Sequence, residues 1–117
     1  FYNKNNKKKI NFLKKSKIKL YKISCGTNDK MNLHEALSKA KELGFSRIYL
    51  ESGIKLIKSF FKENLINDFK IFISKDNLGT NGYINVKKEL YYFLKNKKKS
   101  REIVNLNGDL FLSYIIK

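Results

Sequence analysis

The sequence is poor in the residues that would place it in several classes of protein. It has a single cysteine, Cys25, so it forms no internal disulfide, and this favours a reducing compartment. Its apolar runs stay well short of the ~20 residues that a membrane-spanning helix needs, and its N-terminus has no signal-peptide pattern. The one histidine, His34, has no second histidine or cysteine at metal-ligand spacing. We therefore expect a cytoplasmic protein with no membrane partner and no metal site, in which His34 is exposed rather than catalytic.

Arginine is scarce, although the chain carries a formal net charge of +16. Nearly all of the positive charge is lysine, and arginine, the residue that reads base edges in bidentate fashion, occurs only at Arg47 and Arg101. Proline and tryptophan are absent while lysine, asparagine and isoleucine are abundant, as mutational bias in an AT-rich genome would produce. We interpret the charge as a solvated, lysine-rich surface and do not expect nucleic acid as the partner. A nucleic-acid-binding module remains the alternative.

The chain is long enough for one domain. Its 117 residues are 42% hydrophobic and 14% aromatic, which favours a globular fold over disorder. We expect residues 1–117 to form a single domain. The first residue is Phe1 rather than methionine, and we therefore expect the chain to be a fragment.

Hydrophobic periodicity predicts an alternation of helices and strands. Helices are predicted within 1–16, from Asn32 to Gly44, from Gly53 to near Asn64 and over 86–98, and strands at 17–24, 45–51 and 68–75. Asn32 with Glu35 has the spacing of a capping box. Asn107-Gly108 between two alternating runs predicts a C-terminal hairpin. This order predicts an α/β fold with a mixed, mostly parallel sheet flanked by helices and a C-terminal antiparallel hairpin.

The segment from Glu51 to Ser59 is the best candidate for a ligand site. Glu51 ends a predicted strand and Gly53 opens the next helix, and ligands of parallel sheets lie at such strand ends. The free N–H groups of a first helical turn favour phosphate, and Lys55 and Lys58 would add charge. The alternative is an ordinary turn with a surface glutamate, and the local sequence favours it slightly, because one glycine is much weaker evidence than a glycine-rich fingerprint.

The sequence resembles the C-terminal half of the reductase domain in the bifunctional riboflavin-biosynthesis deaminase–reductase (RibD-like) family. The resemblance lies in a strand ending in Glu-x-Gly, a helix, a segment similar to LVDEL, a further strand and a glycine loop. The corresponding segments here are Tyr49-Leu50-Glu51-Ser52-Gly53, the helix positions Leu56, Ser59 and Phe60, Leu65-Ile66-Asn67-Asp68-Phe69, and Asn77-Leu78-Gly79. The chain departs from the family pattern at Ile54, Asn67 and Lys75.

This resemblance implies a dihydrofolate-reductase-like fold and an NADPH-dependent oxidoreductase. It implies that Glu51 binds substrate, and that the cofactor is held by Gly53, Ile54, Lys55, Leu56, Ile57, Lys58 and Ser59. The implied reaction reduces the ribosyl group of 5-amino-6-(5-phosphoribosylamino)uracil, a small phosphorylated molecule, to the ribityl form. No catalytic residue is implied.

The resemblance also implies an incomplete site. The family's reductase domain is on the order of twice the length of this chain, so we expect a homodimer or pairing with the absent N-terminal half. An inactive structural remnant of the reductase fold is a further alternative.

Overall fold

The computed structural model describes residues 1–26, 29–76, 79, 86–104 and 107–117. These residues form two compact units, Phe1–Tyr49 and Leu50–Lys117. Among the described residues, no helix has both the length and the apolar character needed to cross a membrane.

The first unit contains two helices. Helix α1 spans Lys7–Lys15 and helix α2 spans Leu33–Glu42, and each begins at an asparagine whose side chain accepts a backbone N–H hydrogen bond. Helix α2 ends where Gly44 takes a left-handed conformation (φ 92°), as its position in the sequence predicts. The buried residues of this unit are Ile23, Leu33, Ala36 and Ala40. His34 is exposed, as expected.

The predicted capping box forms only in part. The Asn32 side chain accepts a hydrogen bond from the Glu35 N–H at 3.0 Å, as a capping box requires. The Glu35 carboxylate does not return to the Asn32 N–H; instead it accepts hydrogen bonds from the Ser24 N–H, at 2.9 Å, and from the Ser24 hydroxyl. These bonds lower the pKa of Glu35. The Asn32 N–H donates instead to the Ser24 carbonyl at 3.0 Å. Ser24 therefore takes the place that Glu35 would have in a complete capping box.

The second unit contains two helices and a three-stranded sheet. Its elements are α3 (Ile54–Lys62), β1 (Asp68–Ile73), α4 (Val86–Leu94), β2 (Lys98–Glu102) and β3 (Leu110–Ile115). The strand order is β1-β3-β2 and both pairings are antiparallel. The predicted C-terminal hairpin is confirmed as β2 and β3. Asn107 and Gly108, in the connection between Glu102 and Leu110, both have positive φ (50° and 100°), the conformation that this residue pair favours in turns.

The core of the second unit is aromatic. Phe61, Leu90 and Ile116 are its buried residues. The Phe61 ring stacks on Phe93 with centroids 4.9 Å apart and meets the edge of Phe69 at 5.4 Å. Such ring pairs contribute about 0.5–1.5 kcal/mol each beyond the burial of their surface. The core therefore joins α3, α4 and one face of the sheet.

The predicted parallel sheet is not present among the described residues. Residues 17–24 and 45–51 are predicted as strands, but neither segment forms one, and the described parallel pairing is a single isolated bridge between Tyr2 and Lys22. Alternating apolar residues favour an extended chain, but a strand also needs a neighbouring strand to accept its backbone hydrogen bonds. Residues 45–50 have no such neighbour in the described chain, and the side chains of Phe45 and Tyr49 are 61% and 89% exposed.

Candidate functional site

The start of helix α3 lacks a side-chain cap. Gly53 is the N-cap, with φ −66° and ψ 158°, and no side chain accepts a hydrogen bond there. The Gly53 carbonyl accepts from the N–H groups of Leu56 (3.1 Å) and Ile57 (3.3 Å). The N–H groups of Ile54 and Lys55 precede these and have no intrahelical acceptor, as at any helix start. These two N–H groups can therefore donate hydrogen bonds to an anion, which the positive end of the helix dipole would also attract.

Gly53 lies beside open space rather than in a strained turn. A Cβ added at Gly53 would meet no atom within 4 Å, and the φ of −66° suits any residue. Backbone conformation therefore does not require glycine here. The space at the helix start is wide enough for a ligand group to approach the backbone.

Helical geometry divides the predicted cofactor-binding residues between two faces. Ile54 and Ile57 pack against the aromatic core, since they lie one turn apart on the inward face of α3. Lys55 is exposed, and the Leu56 side chain is 42% exposed. The side chains of Ile54 and Ile57 therefore support the helix, and only their backbone remains available to a ligand.

Lys58 is engaged by Glu89, a residue of another helix. Its ammonium group forms an ion pair and hydrogen bond with the carboxylate of Glu89, in the first turn of α4. The two side chains are 34% and 39% exposed. The hydrogen bond to Lys58 and the charge of that lysine lower the pKa of Glu89. No local sequence signal reveals this pairing, because 31 positions separate the two residues.

Ser59 and Ser52 make hydrogen bonds with the local backbone. The Ser59 hydroxyl donates to the Lys55 carbonyl, one turn earlier, at 3.2 Å. The Ser52 hydroxyl lies 3.5 Å from the Gly53 carbonyl, at the limit of a hydrogen bond. The Ser59 proton is therefore already donated within α3.

Glu51 is exposed and lies two residues before the N-cap of α3. The sequence predicts that it ends a strand, and the structure contradicts this, because 45–51 forms no strand. Glu51 therefore does not lie at the carboxyl end of a strand. The start of α3 is nevertheless flanked by two exposed charged residues, Glu51 before the Gly53 N-cap and Lys55 in the first turn.

The described residues hold no group of three or more histidine, cysteine, aspartate or glutamate side chains that could bind a metal ion. Cys25 is exposed and forms no disulfide.

The predicted glycine loop is described only at Gly79, which has a positive φ of 82°. Asn77 and Leu78 lie outside the described residues.

The second unit is thus an α/β arrangement with an uncapped, lysine-bearing helix start, a combination that suits the binding of an anionic ligand. The sequence matches the family model of the RibD C-terminal domain over residues 2–104, and the chain belongs to this family. This confirms the resemblance found in the sequence. A search of curated proteins gave no match.

Membership of the family has consequences for fold and chemistry. It implies a dihydrofolate-reductase-like fold, and it supports a reductase-type function in riboflavin biosynthesis at the level of the family. RibD reductase domains bind NADPH in general. The uncapped N–H groups of Ile54 and Lys55 and the Lys55 ammonium fit the phosphates of such a cofactor, whereas Lys58 is neutralised by Glu89.

Proposed function

We propose that this domain acts in the NADPH-dependent reduction of 5-amino-6-(5-phosphoribosylamino)uracil, converting its ribosyl group to the ribityl form in the cytoplasm. The family match over residues 2–104 carries this proposal. The excess of lysine supports it, because both the cofactor and the substrate are phosphorylated and a positive surface raises the local concentration of anions.

The phosphate-binding part of the proposed site is narrower than the segment implied by the sequence. A cofactor phosphate would accept hydrogen bonds from the N–H groups of Ile54 and Lys55 and would face the Lys55 ammonium. The absence of a side-chain cap and the open space at Gly53 support this assignment. Lys58 links α3 to α4 through its bond to Glu89, and the Ser59 hydroxyl is engaged within α3 by the Lys55 carbonyl.

Glu51 is proposed to orient the substrate. NADPH, when bound, would supply the hydride. An ionised carboxylate is an acceptor only, so Glu51 would receive hydrogen bonds from hydroxyl or amino groups of the substrate. Holding the reacting groups in a fixed orientation lowers the barrier without any covalent step by the protein. We propose that a second copy or a longer chain supplies the remaining substrate contacts.

Binding of NADPH to matched lysine variants tests the proposal. Lys55 and Lys62 are both exposed lysines of α3, but Lys55 lies in the first turn and Lys62 in the last. We expect Lys55→Gln to weaken NADPH binding about tenfold, as loss of one charge-assisted hydrogen bond predicts. Lys62→Gln makes the same change in net charge and should leave binding nearly unchanged. Titration calorimetry measures both, and equal losses in the two variants, or no binding by the parent protein, would refute the proposal.

A further inference from the structure

Helix α4 has two large aromatic side chains that the core does not use. Leu90 is buried, and Phe93 and Leu94 pack against the same core, so these residues define the inward side of the helix. With 3.6 residues per turn, Tyr91 and Tyr92 point away from that side. Their side chains are 56% and 77% exposed. The outward side of α4 therefore presents two aromatic rings to solvent.

Lysines flank the two tyrosines on the outward side. Lys88 lies one turn before them and Lys95 one turn after them. The Lys95 N–H donates to the Tyr91 carbonyl at 2.9 Å and so continues the helical pattern, and the Lys95 ammonium lies 5.5 Å from the centre of the Tyr92 ring. Lys87, Lys88 and the two tyrosines line one open groove. We call these residues, Lys87, Lys88, Tyr91, Tyr92 and Lys95, the tyrosine–lysine surface.

The charge around this surface is strongly positive. From Val86 to Arg101 the chain has seven lysine or arginine residues and one acidic residue, Glu89. The Glu89 carboxylate is bound by Lys58 of α3, so its charge is already balanced by a cation from outside this segment. The lysines of the tyrosine–lysine surface therefore suit an anionic partner.

Strand β2, which follows α4 in the chain, adds cations on the same side of the sheet. Tyr114 packs against the core, so its side of the sheet is the one that carries the helices. Lys99 is directly opposite Tyr114, and Arg101, two residues later, points to the same side. Both residues are exposed. Lys98 points to the other side of the sheet.

We propose that the tyrosine–lysine surface binds single-stranded nucleic acid, with bases stacked on Tyr91 and Tyr92 and phosphates facing Lys87 and Lys95. Aromatic stacking combined with a positive surface is the usual way in which proteins hold single strands. The scarcity of arginine does not count against this partner, because stacking needs no hydrogen bond to a base edge. The binding is therefore independent of base sequence, and it does not depend on the reductase activity proposed above.

The arrangement of α4 favours a nucleic acid over an anionic membrane. A helix that binds a membrane surface inserts an apolar side among the lipids. The large aliphatic side chains of α4, Leu90 and Leu94, face the core of the protein. The outward side offers flat rings with polar hydroxyl groups between lysines, which suits stacked bases and phosphates.

Two labelled strands of equal length test the proposal by fluorescence anisotropy of the full chain. One is oligothymidylate, and the other is an abasic strand that carries the same phosphates without bases. We expect oligothymidylate to bind at least about fivefold more tightly, because each stacked base adds affinity that the phosphates do not supply. Equal affinity for the two strands would overturn the proposal, and this comparison needs no variant to fold.

Tyrosine variants show whether the preference for bases comes from α4. Tyr91→Leu/Tyr92→Leu removes both rings but keeps apolar side chains, and should abolish the preference for oligothymidylate over the abasic strand. Tyr91→Phe/Tyr92→Phe keeps both rings and should retain the preference. A leucine double variant that circular dichroism shows to be folded, and that still prefers oligothymidylate, would contradict the assignment to these tyrosines.

Lysine variants separate a local phosphate contact from overall charge. Lys95→Gln and Lys98→Gln change the net charge equally, but Lys98 lies on the other side of the sheet. Loss of one phosphate contact should lower the steepness of the salt dependence, log K against log salt concentration, by about 0.7 in Lys95→Gln. Lys98→Gln should leave it nearly unchanged, and equal effects would refute the contact.

Two further outcomes would give this surface another ligand and overturn the proposal. One is displacement of bound oligothymidylate by saturating NADPH in competition, which would assign the tyrosines to the cofactor. The other is a parent protein that binds phosphatidylserine vesicles but neither strand, which would assign the surface to a membrane.

Discussion

Replacing Gly53 with aspartate should separate the stability of α3 from its ability to bind a phosphate. The backbone of Gly53 has an ordinary φ, and an added Cβ meets no atom within 4 Å, so the structure can accept the side chain. Aspartate is one of the best N-cap residues, and its negative charge lies favourably at the helix start. We expect the variant to be more stable than the parent.

The magnitudes follow from the cap and from Coulomb's law. A capping aspartate gains a few tenths of a kcal/mol over glycine, and its interaction with the helix dipole adds about 0.3–1 kcal/mol. For a chain of this size we expect Tm to rise by about 2–5 °C. A phosphate held at the same N–H groups would lie about 5 Å from the new carboxylate, which costs roughly 1–3 kcal/mol at effective dielectric constants between 80 and 20. The affinity for NADPH should fall by a factor of about 5–150.

Gly53→Asn is the matched control, because asparagine caps a helix equally well without the charge. Thermal unfolding followed by circular dichroism measures the stability of both variants, and calorimetric titration measures their affinity for NADPH. We expect both variants to be more stable than the parent, with Gly53→Asp the more stable by roughly the 0.3–1 kcal/mol of its charge, and we expect weaker NADPH binding by Gly53→Asp than by Gly53→Asn. Equal affinity in the two variants would show that no phosphate lies at this helix start.

Three further predictions concern stability. Phe61→Ala removes a buried ring from the aromatic core and should cost about 3–5 kcal/mol in the free energy of unfolding, measured by urea denaturation. Gly108→Ala should cost about 1–2 kcal/mol in the same assay, since Gly108 has a φ of +100° and a Cβ there would lie 2.7 Å from the Lys75 side chain. Because the pKa of Glu89 is lowered by Lys58, their pair contributes stability above the unfolded-state pKa of glutamate, near 4.3, and loses it as the pH falls through the folded-state pKa. Glu89→Gln should therefore be less stable than the parent protein at neutral pH and equally stable in strong acid, and a deficit that persists in acid would contradict this reasoning.

The local signals in the sequence predict the structure well where partners are close along the chain. Asn32 caps α2, Gly44 ends it, and Asn107-Gly108 marks the hairpin, each for a reason contained in a few neighbouring residues. Glu35 shows the limit of such signals. Its spacing from Asn32 predicts a reciprocal bond, but its carboxylate accepts instead from Ser24, eleven positions away, where both the N–H and the hydroxyl donate to it.

The strands show the same limit on a larger scale. Residues 68–73 have the alternating pattern of a strand and form one, because β3 lies beside them and accepts their backbone hydrogen bonds. Residues 45–50 have a similar pattern and form none, because a pattern of side chains does not supply the neighbouring strand. Hydrophobic alternation therefore predicts the tendency to extend, and pairing decides the outcome.

The candidate site is predictable in position but not in detail. The start of α3 at Gly53 follows from the glycine and the apolar periodicity after it. The engagement of Lys58 by Glu89 depends on how α3 and α4 pack, which local spacing does not encode. This packing reduces the proposed phosphate contacts to the backbone of Ile54 and to Lys55.

The most direct test of the account is an NADPH titration of the isotopically labelled protein followed by amide NMR. The account predicts that the largest shifts are at the amides of Ile54 and Lys55, with smaller shifts toward the end of α3. NADPH-dependent shifts that avoid these two amides, or an unchanged spectrum at saturating NADPH, would contradict the claim that the start of α3 holds the cofactor phosphate.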